Sequence, residues 1–377
     1  MRKSYKYRIY PSKSVIQILE HQIELCRNLY NCALEHRITA YRRAGISISY
    51  YDQQNELPEI RQIFPEYKKI YVQVLRVPLQ NLDKAYKSFF RRIKNGEIPG
   101  FPRFKGKNRF NSICFPQYPQ HCKLVDRKLI IGKIGTIKIK YHREIIGTIK
   151  TTTIKRTPTN KWYVTFSCDN VPLKPLSKTN MICGIDMGIK SFITTSGNDT
   201  IENPKFFKQS HDLLIARQQK LSKANKGTRK REKLRLLVAK VHEKIANQRR
   251  DFHFKTANNL VKQYDVIFHE DLDINSMFSF RNINRNIMDA AWKQFLDILS
   301  FKAEEAGKKI IKIKSQSTTE TCSTCGNIVP VDLTTRIFFC PHCNISIDRD
   351  YNAALNILRL GVNHLDSRIA PEKSIIR

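Results

Sequence analysis

Four cysteines constrain this chain more than any other feature. Cys322, Cys325, Cys340 and Cys343 form two C-x-x-C pairs with fourteen residues between them. Two residues between thiolates let both sulfurs of one tight turn reach a single ion at about 2.3 Å, and two such knuckles complete a tetrahedron, so a structural Zn²⁺ is expected. A redox pair, or thiols buried only for packing, would give no reason for the doubled spacing. Four thiolates leave no open coordination position, so the ion would hold structure without doing chemistry. His342 then belongs to the knuckle surface. The other six, Cys26, Cys32, Cys114, Cys122, Cys168 and Cys183, show no comparable spacing and read as core residues.

The 377 residues allow two or three domains with hydrophobic cores of their own. Against 33 Asp+Glu stand 67 Lys+Arg, a net charge of +34. That excess is costly in self-repulsion unless a polyanion is bound, so nucleic acid is the expected partner. No apolar run approaches the roughly 18–20 residues of a membrane span, and the opening MRKSYKYRIYPSK lacks the apolar stretch of a secretory signal. The expected setting is cytoplasmic and nucleoid-associated, with no membrane, where the cysteines stay reduced.

Residues 3–9 alternate Tyr5, Tyr7 and Ile9 with polar residues and read as a strand. After Pro11, Ser12 or Ser14 can cap a helix carrying Ile16, Leu19, Ile23, Cys26 and Tyr30 at helical spacing. A second helical stretch, about 67–94, contains Pro78 and stops at Asn95-Gly96. The basic, Gly/Pro-punctuated segment 96–112 leads into period-two runs between Cys122 and Cys168, which suggest a small barrel or sandwich that the first strand can join. From Met181 the pattern becomes strand MICGIDMGIKSFITTS, a long basic helical region, strand YDVIFHEDL, helix, strand KKIIKIK, the cysteine segment and a last helix ending at Gly361, with a poorly ordered tail beyond.

Three carboxylates stand where bland explanations are incomplete. Asp186 lies in the apolar run ICGIDMGIK, where an unpaired charge costs several kcal/mol unless compensated; an ion pair with Lys190 is the plain alternative. Glu270 ends the strand VIFHE, on the face of Val266 and Phe268; the adjacent Asp271 and Asp273 read as cap and turn residues. Asp350 opens the helix DYNAALNILRLG, where either it or Asp348 can serve as the N-cap. Together the three offer the hard oxygen ligands, from separate elements of one sheet, that two divalent ions roughly 3.5–4 Å apart require.

Residues 217–250 carry thirteen Lys/Arg against two Glu, while Leu234, Leu237, Val238, Val241 and Ile245 recur at helical spacing. One face is apolar and the other cationic, which makes Arg229, Lys230, Arg231, Lys233, Arg235, Arg249 and Arg250 candidate phosphate contacts. Tyr5, Tyr7, Tyr10, Phe101, Phe104 and Phe110 alternate with basic residues; most are expected to fill the core, the rest to stack on bases.

The motifs GIDMGIKSF, HEDLDI with Met277 downstream, TTETCSTCG, FFCPHC and DRDYNAALNIL, in this order, resemble the transposon-encoded TnpB family, relatives of the type V CRISPR nucleases. The likeness extends back through RRDFH at 249–253 and GEIPGFPRFKGK, and covers nearly the whole chain. It implies a multidomain α+β protein: a RuvC-like nuclease of the ribonuclease H fold with an inserted zinc ribbon, and a β-barrel wedge domain with an inserted helical recognition region. The implied boundaries are wedge 1–11 and 106–178, recognition 12–105, nuclease 179–316 and 346–362, ribbon 317–345 and tail 363–377. By matching motifs, Asp186, Glu270 and Asp350 become catalytic acids holding two Mg²⁺ ions. The implied partners are a guide RNA from the transposon end and a double-stranded DNA target beside a short adjacent motif, with a monomeric protein in the ribonucleoprotein. Two other readings are a nuclease-inactive RNA-guided DNA-binding repressor, which the intact acids disfavour, and a strand-joining transposase, for which no tyrosine or serine recombinase signature is present.

Overall fold

A computed structural model describes residues 1–271, 284–314, 318–332 and 335–369. Asp273, Met277 and the tail from 370 lie outside the described residues. The chain divides into two units, Met1–Pro172 and Leu173–Arg377. Among the described residues no helix is long and apolar enough to cross a membrane.

The first unit is a seven-stranded antiparallel sheet with helices inserted after its first strand. Strands β1 (Lys3–Tyr10), β2 (Ser112–Phe115), β3 (Cys122–Val125), β4 (Lys128–Ile131), β5 (Gly135–Ile139), β6 (Thr148–Arg156) and β7 (Trp162–Asp169) run in the order β2-β6-β7-β1-β5-β4-β3. The period-two pattern thus gives the expected sheet, and the amino-terminal strand sits in its middle, pairing β7 from Lys3↔Cys168 to Ile9↔Trp162. Only six residues join the two edge strands, β2 and β3, which makes the sheet a nearly closed barrel. Tyr5, Tyr7 and Ile9 point inward with Val164 and Phe166. Tyr10, Phe101 and Phe104 remain exposed, so the aromatic series divides between core and surface.

The inserted helices are α1 (Lys13–Ala44), α2 (Tyr50–Asn55), α3 (Leu57–Ile63) and α4 (Val72–Lys94). Ser12 caps α1, accepting from Val15 N at 3.4 Å, and Gly45, at φ +66°, ends it. Pro78 is buried inside α4 without dividing it. The Gly/Pro segment is pinned rather than loose: Asn31 Oδ1 accepts from Lys105 N at 2.8 Å, and Arg27 Nη1 donates to Lys105 O at 2.9 Å.

The second unit is a mixed sheet between helical layers. Its strands are β8 (Ile182–Asp186), β9 (Ser191–Thr195), β10 (Thr200–Glu202), β11 (Val266–Glu270) and β12 (Lys309–Ile313), ordered β10-β9-β8-β11-β12. The apolar run expected as one strand is two, β8 and β9, folded back at Met187–Lys190. β8, β11 and β12 are mutually parallel. Helices α5 (Phe206–Ser222), α6 (Arg229–Gln263), α7 (Asn284–Ala290) and α8 (Trp292–Ala306) precede β12. The carboxyl-terminal half of α6 and α8 cover one sheet face through Ala257, Leu260, Phe295 and Leu299 against Cys183, Ile185 and Ile267. The amino-terminal half of α6 instead buries Val241 and Ile245 against Leu214 of α5, a separate small core.

The unit boundary falls six residues before the expected 178/179. Residues 173–178 contain no apolar pattern to reveal this, but backbone bonds Lys174 N→Glu305 O (2.8 Å) and Leu176 N→Ala306 O (3.0 Å) tie them to α8. The cysteine segment forms a hairpin, β13 (Ile337–Phe339) with β14 (Ser346–Asp348), so a ribbon boundary at 345 would cut a strand pair; the ribbon runs to Asp348.

Helix α9 (Arg349–Ile369) covers the other sheet face and does not end at Gly361. Glycine serves there for close approach: a Cβ on Gly361 would lie 2.3 Å from the Phe268 ring, and one on Gly184 would lie 2.4 Å from Ala354 O. Helix and sheet are therefore in near backbone contact at β8, and at β11 the Phe268 ring lies against the helix backbone at Gly361. Gly184→Ala should cost about 1–3 kcal/mol or more, because its obstacle is backbone and cannot rotate away. Urea denaturation against the exposed control Gly100→Ala, which has open space around it, measures the difference.

Candidate functional site

Parallel pairing sets the first two acids side by side. His269 aligns with Ile185, so Glu270 and Asp186 are the next residues on adjacent parallel strands, both at carboxyl ends. Side chains alternate across a strand, and Gly184 and Phe268 face α9; two residues on, Asp186 and Glu270 face the same side. The carboxyl edge of such strands is where open sheets of this kind place ligands.

Helix α9 brings the third. Asp348 Oδ1 accepts from Asp350 N (2.9 Å) and Tyr351 N (3.1 Å), so Asp348 is the cap and the Asp350 carboxylate is released from that duty. Asp350 Oδ2 reaches the β8–β9 turn, 3.8 Å from where a side chain on Gly188 would begin. Two arginines attend it, Arg349 Nη2 at 3.3 Å and Arg336 Nη1 at 3.7 Å. Lys190, considered as the partner of Asp186, is exposed, and no cation lies within ion-pair distance of Asp186 among the described residues. Burial first, then the charges of Asp350 and Glu270, push the Asp186 carboxyl up to about 7. Glu270 and Asp350 thus both act on Asp186 at one edge of the sheet.

The donor chemistry, hard carboxylate oxygens around a buried Asp186 with Arg349 and Arg336 as the neighbouring cations, fits a divalent cation. The three carboxylates are spaced more widely than the cysteine sulfurs, which are the one group of three or more potential ligands within 4.8 Å of one another among the described residues. Two ions a few ångströms apart do not need all three carboxylates to converge on one point.

At the ribbon, Cys322 Sγ lies 3.6 Å from Cys343 Sγ, and Cys325 Sγ 3.6 Å from Cys340 Sγ. A tetrahedral site with metal–sulfur bonds of about 2.3 Å has edges of roughly 3.8 Å, so the four thiols are placed for a closed Zn²⁺ site. Gly326, at φ +79°, lets the first knuckle turn, with its N–H bonded to Cys322 O at 2.9 Å. Phe338 packs between Cys322 and Cys340 as the ribbon core.

Sequence reading missed the residues that join knuckle to acids. Asn352 and Asn356, one turn apart on α9, are both fully buried. Asn352 Nδ2 donates to Thr321 O (2.8 Å) and its Oδ1 accepts from Ser323 N (2.9 Å), while Asn356 Nδ2 donates to Thr318 O (2.9 Å) and Thr321 O (2.6 Å). Thr318 Oγ1 in turn donates to Glu270 Oε1. The available signal was two asparagines on the otherwise apolar inward face of DYNAALNIL, since buried amides are retained where they have partners.

The basic candidates separate. Arg229, Lys230, Lys233, Arg235 and Arg250 are exposed. Arg231 is taken up internally, its Nη1 donating to Leu221 O (2.9 Å) and Ala224 O (2.6 Å), which closes the α5–α6 hairpin. Arg249 is half-buried and bonds Asp289 at 3.0 Å. These two guanidiniums hold the fold; a linear charge pattern cannot show which cations find a partner inside.

Two outcomes follow. A raised Asp186 pKa means the folded state holds that proton more tightly, so its stabilisation is complete below about pH 4 and is lost as pH rises through about 7. Metal-free Asp186→Asn should therefore match wild type near pH 4 and exceed it at pH 8, by an amount on the order of a few kcal/mol, in melts across that range. Metal analysis should find one zinc in wild type and none in Cys325→Ser, and Asn356→Ala should lower the chelator resistance of that zinc with its ligands intact.

The chain is similar to known proteins in sequence and in fold. Residues 160–281 match the family described as probable transposase, residues 292–357 the Cas12f1-like TNB domain, and residues 1–45 a helix-turn-helix domain, although the structure there is β1 followed by α1. A Streptomyces pristinaespiralis protein named as an RNA-guided DNA endonuclease is 29% identical, covering 96% of this chain and 90% of its own. The Escherichia coli RNA-guided DNA endonuclease InsQ is 25% identical over 95% and 92%. The endodeoxyribonuclease Cas12f1 of Sulfoacidibacillus thermotolerans is 27% identical over 88% and 89%. In fold, the chain is similar to the mini RNA-guided endonuclease Cas phi-3, with a TM-score of 0.50 at 12% identity over 96% and 92% of the two chains. The family matches and the curated relatives together support a protein of the transposon-encoded TnpB type, related to the type V CRISPR nucleases.

Proposed function

We propose that this protein is an RNA-guided DNA endonuclease of a transposon, cutting phosphodiester bonds beside a short adjacent motif by metal-assisted hydrolysis. One observation carries the reading: Asp186, Glu270 and Asp350, far apart in sequence, meet at the carboxyl edge of β8 and β11, where burial and the charges of the other two raise the proton affinity of Asp186. The mixed sheet of the second unit, with α9 laid on it, is read as a RuvC-like ribonuclease H fold with the zinc ribbon inserted. The barrel sheet of the first unit is read as the wedge and α1–α4 as the recognition region.

Asp186, Glu270 and Asp350 would hold two Mg²⁺ ions, which when bound supply the Lewis acidity that activates water and stabilises the leaving 3′ oxygen. The chain's own contribution is placement. Thr318 fixes one oxygen of Glu270, and Asp348, by capping α9, leaves Asp350 free to face the substrate. Water adds its oxygen to phosphorus in line with the departing 3′ oxygen, which takes up a proton. Arg336, half-exposed beside Asp350, neutralises that carboxylate in the absence of cation and can turn to a non-bridging phosphate oxygen once a cation takes its place. Sequence choice comes from base pairing with the guide, while exposed cations such as Arg229, Lys230, Lys233 and Arg250 bind backbone phosphate. A monomeric protein in the ribonucleoprotein, working in the cytoplasm on nucleoid DNA, suits this reading.

Purified protein with its copurifying RNA is incubated with a plasmid target carrying a randomised flank. Asp186→Ala, Glu270→Ala and Asp350→Ala should each lower cleavage about a thousand-fold or more while retaining target binding, and chelation of divalent ions should do the same reversibly. Undiminished cutting by Asp186→Ala would remove the reading. Binding without any Mg²⁺-dependent nicking by wild type would favour the repressor.

A further inference from the structure

The first unit contains a cavity that none of the roles above uses. It lies between α1, the α1–α2 connection and α4, with a volume of about 500 Å³, within the range of small-ligand sites. Its walls are aromatic: Tyr41, Tyr86, Phe90 and Phe101 line it, with Tyr41 67% and Phe90 60% exposed. Tyr86 and Phe90 lie nearly parallel, centroids 6.3 Å apart at 26°, and Phe101 meets Tyr86 edge-on at 5.7 Å. Tyr41 and Phe90 thus keep much of their ring surface open to water at the cavity mouth.

The cavity also contains a cation. Arg37 is only 8% exposed, its Nε donating to Gln53 Oε1 (2.9 Å), with Nη1 3.7 Å from Asp83 Oδ1 and its guanidinium 5.3 Å from the Tyr86 ring centre. Its Nη2 is shielded from solvent and has no hydrogen-bond partner. The cavity wall therefore holds a guanidinium with one hydrogen-bonding nitrogen left unsatisfied in the ligand-free protein. At the mouth, Lys87 is paired with Asp83 at 2.8 Å, whereas Arg42 is exposed with no carboxylate partner among the described residues.

We infer that this cavity binds one unpaired nucleobase of a nucleic-acid strand, its ring stacked among Tyr41, Phe90 and Phe101, a carbonyl or ring nitrogen meeting Arg37, and its phosphate meeting Arg42. The inference rests on the nucleic-acid binding proposed above. Flat aromatic faces beside cations are the chemistry by which unstacked bases are held. A second copy of the chain would bring another +34 of charge to a cationic mouth, and a basic peptide would be repelled for the same reason.

The test uses full-length protein and two single-stranded probes of mixed sequence, an RNA containing 4-thiouridine and a DNA containing 4-thiothymidine. Crosslinks should map to peptides containing Tyr41, Phe90 or Phe101, and the probe that gives them identifies the strand. Phe90→Ala and Tyr41→Ala, both at exposed positions, should weaken that probe's binding about five- to hundred-fold with an unchanged salt slope, because stacking and not charge is lost. Arg42→Ala should instead lower the slope by about one. Wild-type binding that both aromatic variants leave intact, with crosslinks only elsewhere, would overturn the cavity and leave the nuclease reading standing. Failure of wild type to bind either probe, or its copurifying RNA, would overturn both.

Discussion

The near contact of α9 with the sheet is the constraint on which the site depends. Gly184 and Gly361 remove the two side chains that would hold helix and strands apart, and Ala353, Ala354 and Ile357 fill the remaining space. With the helix pressed this close, its first turn lies beside the carboxyl end of β8, and a residue there must come near Asp186. Charge then works against packing: two further carboxylates are gathered beside Asp186, whose ionisation burial already penalises. A protein that accepts this cost in its ligand-free state is built to hold positive charge there, whether from Arg336 and Arg349 or from bound cations.

The ribbon belongs to the same arrangement. Its second hairpin strand, β14, runs directly into α9, so the metal knuckles and the third acid share one continuous backbone. Its first knuckle is joined to α9 from the side through Asn352 and Asn356, and the segment they hold reaches Glu270 through Thr318. A closed four-thiolate site can therefore take no part in chemistry and still fix two of the three acids. Buried amides whose nitrogens both bond backbone carbonyls suit this task, because they tolerate little displacement.

The cationic surface shows how charge acquires different meanings along one helix. α6 is a single helix of 35 residues. Its carboxyl-terminal half is sheet-packed core, and its amino-terminal half projects as a hairpin with α5, stitched by Arg231. Arg231 and Arg249 supply hydrogen bonds inside the protein, and their exposed neighbours supply field outside it.

By itself the sequence determined the local rules: the doubled C-x-x-C spacing, the alternation of the barrel strands, a serine cap after Pro11, the polyanion-seeking charge, and three acids carried by two strands and the start of a helix. These are legible because they depend on neighbours within a few residues. Only the tertiary structure decided that Asp348 caps and Asp350 does not, that Gly361 marks a contact and not a helix end, and that β8 and β9 are two strands. It also decided that residues 173–178 attach to the second unit and that two of the arginines turn inward. Each of these depends on what approaches from a distant part of the chain, such as the Phe268 ring on Gly361 or Asp289 on Arg249, and a linear pattern carries no record of that approach.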